Sequence, residues 1–252
     1  MPRGKRYLVA GYTYHITHRC HNRAFLLKFR KDRATYRQML WAQLQGTGIS
    51  LLSYGITSNH VHLLLRPDPS GALESLSGLM RNLEGEFSQL YNRRKKRQNA
   101  FWGDRYHATM VDSGDYLWKC LVYIDLNMVR AGVVRHPREW PWTAYHELMG
   151  DRKRYRVIDM PELLEQLGGC SETSFRENYA YCIEEAIRLK EYQRDGKWTE
   201  SLAVGSEGFV GKAGRQIKNR MRVERQKDQE DRTTWILRET PLEAVLPAKN
   251  AF

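Results

Sequence analysis

The chain has 252 residues, 41% of them hydrophobic and 28% charged, a balance that reads as soluble and globular, with room for one large domain or two modest ones. No apolar run reaches membrane-spanning length, the N-terminal MPRGKRYLVAG lacks a signal-peptide core, and Cys20, Cys120, Cys170 and Cys182 form no CxxC pair, which argues against a zinc knuckle or a disulfide framework. Lys and Arg total 41 against 29 Asp and Glu, and the net charge of +12 points to a polyanionic partner, nucleic acid first.

In chain order, GYTYHITHRC alternates and is rich in Tyr, Thr and Ile, which predicts a strand. KDRATYRQMLWAQLQG carries Tyr36, Met39, Leu40 and Leu44 at helical spacing, with Gly46 and Gly48 closing it. ISLLSYGITSNHVHLLLRP reads as two strands joined by a turn near Ser58 and Asn59. A long helix follows in ALESLSGLMRNLEGEFSQLYNRR, where Leu73, Leu76, Leu79 and Leu83 recur, and RYHATMVD reads as a further strand. SGDYLWKCLVYIDLNMVRAGVV predicts a helix, with Ser113 as its cap and Gly132 as its stop.

Strand, helix, strand, strand, helix, strand, helix is the order of a ferredoxin-like α+β layer, an antiparallel sheet with helices packed on one face. After the Pro/Trp-rich HPREWPWTAYHELMG the character changes, and MPELLEQLG, SFRENYAYCIEEAIRLKEYQ and EGFVGKAGRQIKNRMRVERQ read as short helices. The expectation is a domain over 1–150 and a smaller, basic helical domain over 151–252, with Lys212 to Lys227 a candidate for phosphate contact.

Three features carry chemistry. On a strand, positions two apart share a face, so His60 and His62 point the same way with Leu64, while Val61, Leu63 and Leu65 face a core on the other side. Two imidazoles so close can share a divalent ion, although an HxH pair in isolation is more often accidental. On the helix from Asp115 to Ala131, Leu117, Leu121, Ile124 and Met128 form an apolar arc, and Tyr116, Lys119, Cys120, Tyr123, Asn127 and Arg130 fall on another. Tyr123 and Asn127 are neighbours on successive turns. Finally, Tyr91, Phe101, Trp102 and Tyr106 surround Arg93, Arg94, Lys95, Lys96 and Arg97, either as bases' stacking partners beside phosphate contacts or as core residues beside a solvated helix end.

The combination resembles the HUH single-tyrosine transposases, most closely the REP-associated tyrosine transposases. YHITHRCHNR, YGITSNHVHLLLRP, FWGDRYHATMVD, YLWKCLVYIDLNMVRAGVV and WPWTAY carry the resemblance, in order, across the first 150 positions. The family commonly has proline where this chain has Met128, a position on the apolar arc, so the departure implies adjusted packing rather than lost chemistry.

The resemblance implies an HUH nuclease core with Tyr123 as nucleophile and His60, His62 and Asn127 as ligands of Mg²⁺ or Mn²⁺. It implies cleavage of single-stranded DNA near REP-like hairpins through a 5′-phosphotyrosine link that leaves a 3′-OH, in a bacterial cytoplasm at the nucleoid, by a monomer or homodimer with no membrane partner. Tyr116, seven residues before Tyr123, is the rival nucleophile. Candidate DNA contacts are Arg3, Lys5 and Arg6 in a basic arm, Arg93, Arg94, Lys95, Lys96, Arg97 and Arg105, and Arg130 beside the tyrosine. Two other readings compete: a catalytically idle hairpin-binding regulator on the same fold, and a metal-dependent hydrolase of small phosphoesters or amides.

Overall fold

The structure, a computed structural model, describes residues 8–9, 11–69, 74–217 and 222–240. Seven strands form one sheet in the order β2-β3-β1-β4-β5-β7-β6. In the chain they are β1 (Thr13–Arg19), β2 (Ile49–Ile56), β3 (His60–Pro67), β4 (His107–Val111), β5 (Ala203–Gly205), β6 (Val223–Lys227) and β7 (Trp235–Glu239). The α-helices are α1 (Arg30–Leu44), α2 (Glu74–Lys95), α3 (Asp115–Asp125), α4 (Asn127–Arg130), α5 (Tyr145–Leu148), α6 (Met160–Gln166), α7 (Glu172–Leu189), α8 (Lys197–Glu200) and α9 (Glu207–Ile217). All pairings are antiparallel except β4 with β5.

The α+β layer predicted for the first half is present, in the predicted order. Its two faces differ. On one face Tyr14 and Ile16 of β1, Val61, Leu63 and Leu65 of β3 and Tyr54 of β2 form an apolar floor for α1 and α2, each of these side chains being 1% exposed or less. At some 25 cal/mol per Å² of apolar surface removed from water, burial of this face favours folding of the layer. Arg37 of α1 donates to the Tyr54 hydroxyl over 2.9 Å, and both bond the buried Glu147 of α5, so this buried charged cluster is paired.

The expectation of helices on one face holds for α1 and α2, whereas α3 covers the opposite face. Gly55 of β2 is the point of closest approach: a Cβ there would lie 3.1 Å from the Ile124 side chain of α3 and 3.8 Å from His62. Leu117, Leu121 and Ile124, the predicted apolar arc, are fully buried, and Met128 is 3% exposed. The predicted single helix is interrupted at Leu126 (φ −78°, ψ 2°), which separates α3 from α4 while Arg130 N–H still bonds Leu126 C=O over 2.8 Å. Gly132 (φ +66°) stops α4 as predicted, with Val133 N–H returning to Met128 C=O over 3.1 Å. The cap at the other end is Gly114 rather than Ser113, and no side chain caps the first turn.

Beyond residue 150 the predicted helices are present as α6, α7 and α9, and the same stretch also adds three strands. Residues 223–226, expected to be helical, lie in the edge strand β6. β5 lies beside β4 and Leu202 C=O accepts from Met110 N–H over 2.8 Å, so the sheet runs without a break from the first half into the second. The other edge, β2, is covered by the Pro/Trp segment: Trp142 C=O accepts from Ile56 N–H and Ala144 N–H donates to Tyr54 C=O, each over 2.8 Å.

Candidate functional site

The face beneath α3 is polar where the other is apolar. Cross-strand partners point the same way, so the registers His62 with Thr17, Leu64 with His15, and His15 with Thr109 set three strands' polar side chains into one row. His60 and His62 share this face, as predicted, with ring centroids 4.8 Å apart. Tyr123 projects from α3 onto the row, its ring 6.1 Å from His62 and 6.2 Å from His15. Asn127 Nδ2 lies 3.0 Å from His62 Nε2. The four residues expected to act together are therefore together. Tyr116 is elsewhere, its hydroxyl donating to Thr233 C=O over 3.1 Å.

The hydrogen bonds fix the protons. His60 Nδ1 faces two acceptors, Asn59 Oδ1 at 2.7 Å and Thr57 Oγ1 at 2.9 Å, the latter giving its own proton to His60 C=O. His60 therefore carries its proton on Nδ1 and leaves Nε2 bare. His15 Nδ1 lies 2.9 Å from Trp198 C=O, which can only accept, and His15 Nε2 lies 2.8 Å from His62 Nδ1. Burial holds His15 and His60 to a pKa of about 3, well below the ordinary imidazole value of 6.5, and pushes His62 the same way, with the neighbouring imidazoles and Arg130 adding to the effect. All three rings are neutral at physiological pH.

Two imidazoles with bare Nε2 atoms and an amide one turn away fit a hard or borderline divalent ion. Among the described residues no group of three or more His, Cys, Asp or Glu side chains offers a competing site. Ligation by Asn127 requires its amide turned over, so that Oδ1 takes the place of Nδ2. His60, His62 and Asn127 would hold the ion.

Tyr123 is 8% exposed. Burial raises its pKa above 10.0, and the Arg130 guanidinium, 4.2 Å from the ring centroid, opposes that rise. Arg130 is also held by Tyr192 C=O at 2.5 Å and Tyr123 C=O at 3.2 Å. It is a fixed charge against the Tyr123 ring rather than a freely reaching contact. A cavity of about 280 Å³ opens at Tyr123 between α3, α4 and the 191–198 segment, lined by Arg130, Tyr192 and Trp198 among others.

Sequence reasoning missed His15, Arg19 and Trp198. Arg19 ends β1 opposite His60 and is exposed, and its charge acts on both His60 and Tyr123. The other candidate contacts divide. Arg3, Lys5 and Arg6 lie outside the described residues. Arg93, Lys95 and Lys96 are exposed at the end of α2, Lys95 over the Phe29 ring at 4.5 Å. Arg94 is paired with the buried Asp32, and Arg97 bonds Asn92 over 3.1 Å. Arg105 is exposed just before β4. The aromatics among them are core: Tyr91, Phe101 and Tyr106 are 6%, 2% and 4% exposed, and Phe101 packs edge-on to Phe87 and Tyr91. Trp102 is half-buried, stacked on His18 at 4.2 Å. None offers an open stacking face.

A mostly antiparallel sheet that sets a His-x-His pair against a tyrosine-bearing helix defines the HUH fold of the single-tyrosine transposases. Residues 8–127, which hold every motif named above up to Asn127, match the model of the transposase IS200-like family. Among solved structures, the fold is similar to that of a REP-associated tyrosine transposase bound to a REP hairpin, at 18% identity over 62% of this chain and 90% of that one, with a TM-score of 0.50. A putative transposase from Deinococcus radiodurans R1 matches at 17% identity over 43% of this chain and 84% of that one, with a TM-score of 0.32. No curated protein matches. Among the described residues no helix is long and apolar enough to cross a membrane.

Proposed function

We propose that the protein is a divalent-metal-dependent single-stranded DNA endonuclease and strand transferase acting at REP-type hairpins. The observation that carries this reading is the convergence of Tyr123 and Asn127 on His62, over 6.1 Å between rings and 3.0 Å between atoms. A phosphodiester is anionic and resists attack, so a site for it needs a nucleophile held against positive charge. Tyr123 supplies the hydroxyl, Arg130 a held charge beside it, and Arg19 a second, exposed charge that also acts on the tyrosine.

In the proposed step the Tyr123 oxygen attacks phosphorus and its proton passes to solvent. The new P–O(Tyr) bond forms as the P–O3′ bond breaks, and the departing 3′ oxygen takes a proton to become the free 3′-OH. The phosphotyrosine conserves the bond, so a 3′-OH can later attack it and release Tyr123. A bound Mg²⁺ or Mn²⁺ would supply Lewis acidity toward a non-bridging phosphate oxygen. His60 and His62, both with Nδ1 protonated, present bare nitrogens for that ion without giving up a proton first.

The similarity to a hairpin-bound transposase supports hairpin DNA as the substrate class, and the net charge of +12 supports a polyanion. The test is cleavage of end-labelled single-stranded hairpin DNA with Mg²⁺, Mn²⁺ or chelator. Metal-dependent nicking with a free 3′-OH is expected. Tight hairpin binding with no cleavage under any metal would favour the idle regulator instead.

A further inference from the structure

The row of polar side chains beneath α3 contains a buried imidazole that the proposed chemistry leaves without a task. His15 is 0% exposed, on β1 in the interior of the sheet, and its ring nitrogens bond Trp198 C=O and His62 Nδ1. Its Nε2 meets the far side of the His62 ring, at Nδ1, so it stands one ring back from the place where an ion would sit. A buried imidazole costs stability unless both nitrogens are used, and here both are.

We infer that His15 is a positioning residue that locks His62 in the tautomer able to bind a metal. The hydrogen bonds run in one direction. Trp198 C=O can only accept, so His15 Nδ1 bears the proton, over 2.9 Å. Neutral His15 then has a lone pair at Nε2, which accepts the proton on His62 Nδ1 over 2.8 Å. With that proton spent, His62 Nε2 is bare and faces the Asn127 amide at 3.0 Å. Thr109 Oγ1 donates to Ser201 C=O over 2.7 Å and lies 3.2 Å from the Trp198 C=O that anchors the relay. A free neutral histidine side chain prefers the proton on Nε2, the state in which His62 could not ligate through Nε2, so the relay selects the rarer form. His60 reaches the same form through Asn59 and Thr57, next to it in the chain, whereas His62 depends on a residue of β1 and on a carbonyl from beyond residue 127. The segment around Trp198, outside the family match, thereby becomes part of the site.

This inference rests on the metal-dependent reading, but its two tests separate. The first needs no metal: long-range ¹H–¹⁵N correlation spectra of the metal-free wild type, with His62 assigned by its absence from His62→Gln. The Nδ1-protonated pattern for His62 is expected, and an Nε2-protonated His62 would overturn the inference whatever the protein does with metals. The second titrates Mn²⁺, followed by electron paramagnetic resonance, into wild type, His15→Leu and His15→Gln, with the fold checked by circular dichroism. Leu cannot accept from His62, and a loss of about 10- to 100-fold in Mn²⁺ affinity is expected. Gln can offer its side-chain oxygen to His62 Nδ1, and affinity within a few-fold of wild type is expected. Wild-type affinity in folded His15→Leu would overturn the role. Absence of Mn²⁺ binding in wild type itself would defeat the metal reading, and the tautomer spectrum would still decide the role of His15.

Discussion

Asp125 lies between Tyr123 and Asn127 in the chain, yet its carboxyl faces away from the site toward α7. It is 0% exposed and accepts from the Tyr179 hydroxyl over 2.7 Å. Burial pushes its pKa up from 3.8 to about 7, with the Tyr179 bond opposing part of the rise. A rise of about 3 units corresponds to a free-energy difference of ~4 kcal/mol between the neutral and charged folded forms. Because the folded pKa is raised, the favourable contribution of the neutral carboxyl is fully present below pH 3.8 and is lost as pH climbs through about 7. Asp125→Asn keeps the shape and an acceptor oxygen for Tyr179 but cannot ionise. Relative to wild type, its free energy of unfolding should be about 3 kcal/mol larger, that is, the variant relatively more stable, at about pH 8.5 than at about pH 4.5. Urea unfolding of both proteins at the two pH values, with unchanged denaturant slopes, measures this difference directly. A difference that stays constant across that range would refute the argument that Asp125 is a buried, proton-holding strut between α3 and α7.

Three further outcomes follow from the packing and the charges. Folded-state depression of the His15 and His60 pKa values to about 3 means that their stabilising contribution is present above 6.5 and is lost as pH falls through about 3; His15→Gln should remove part of that acid sensitivity in thermal melts. Phe101→Ala should cost about 3–5 kcal/mol in urea unfolding and leave the salt dependence of DNA binding unchanged, because the ring is core. Replacing Arg93, Lys95 and Lys96 together by Gln should lower the slope of log K against log salt for single-stranded DNA by up to about 2, and an unchanged slope in filter binding would remove this cluster from the interface.

The parity of a strand made the shared face of His60 and His62 legible, and helical spacing made Tyr123 and Asn127 neighbours. The opposition of these two pairs was an expectation that geometry alone could not supply, since it depends on Gly55 letting α3 approach β2. His15 was hidden for a related reason. Its place behind His62 follows from the β1–β3 register, a long-range property that no local pattern in YHITH encodes. The strands β5, β6 and β7 escaped because each has 3 or 5 residues and VERQK is mostly charged, as an exposed edge permits. The aromatics near the basic run looked suited to stacking on bases, but the hydrophobic gain of packing Phe101 against Phe87 and Tyr91 decided their place.

The central claim is that Tyr123 is the nucleophile of a metal-dependent strand transfer. Its most direct measurement is a denaturing gel of wild type, Tyr123→Phe and Tyr116→Phe after incubation with Mn²⁺ and labelled single-stranded hairpin DNA, with the labelled peptide mapped. Wild type and Tyr116→Phe should carry covalent DNA on the peptide that contains Tyr123, and Tyr123→Phe should carry none. Covalent DNA on Tyr123→Phe, or a label mapped to Tyr116, would contradict the account.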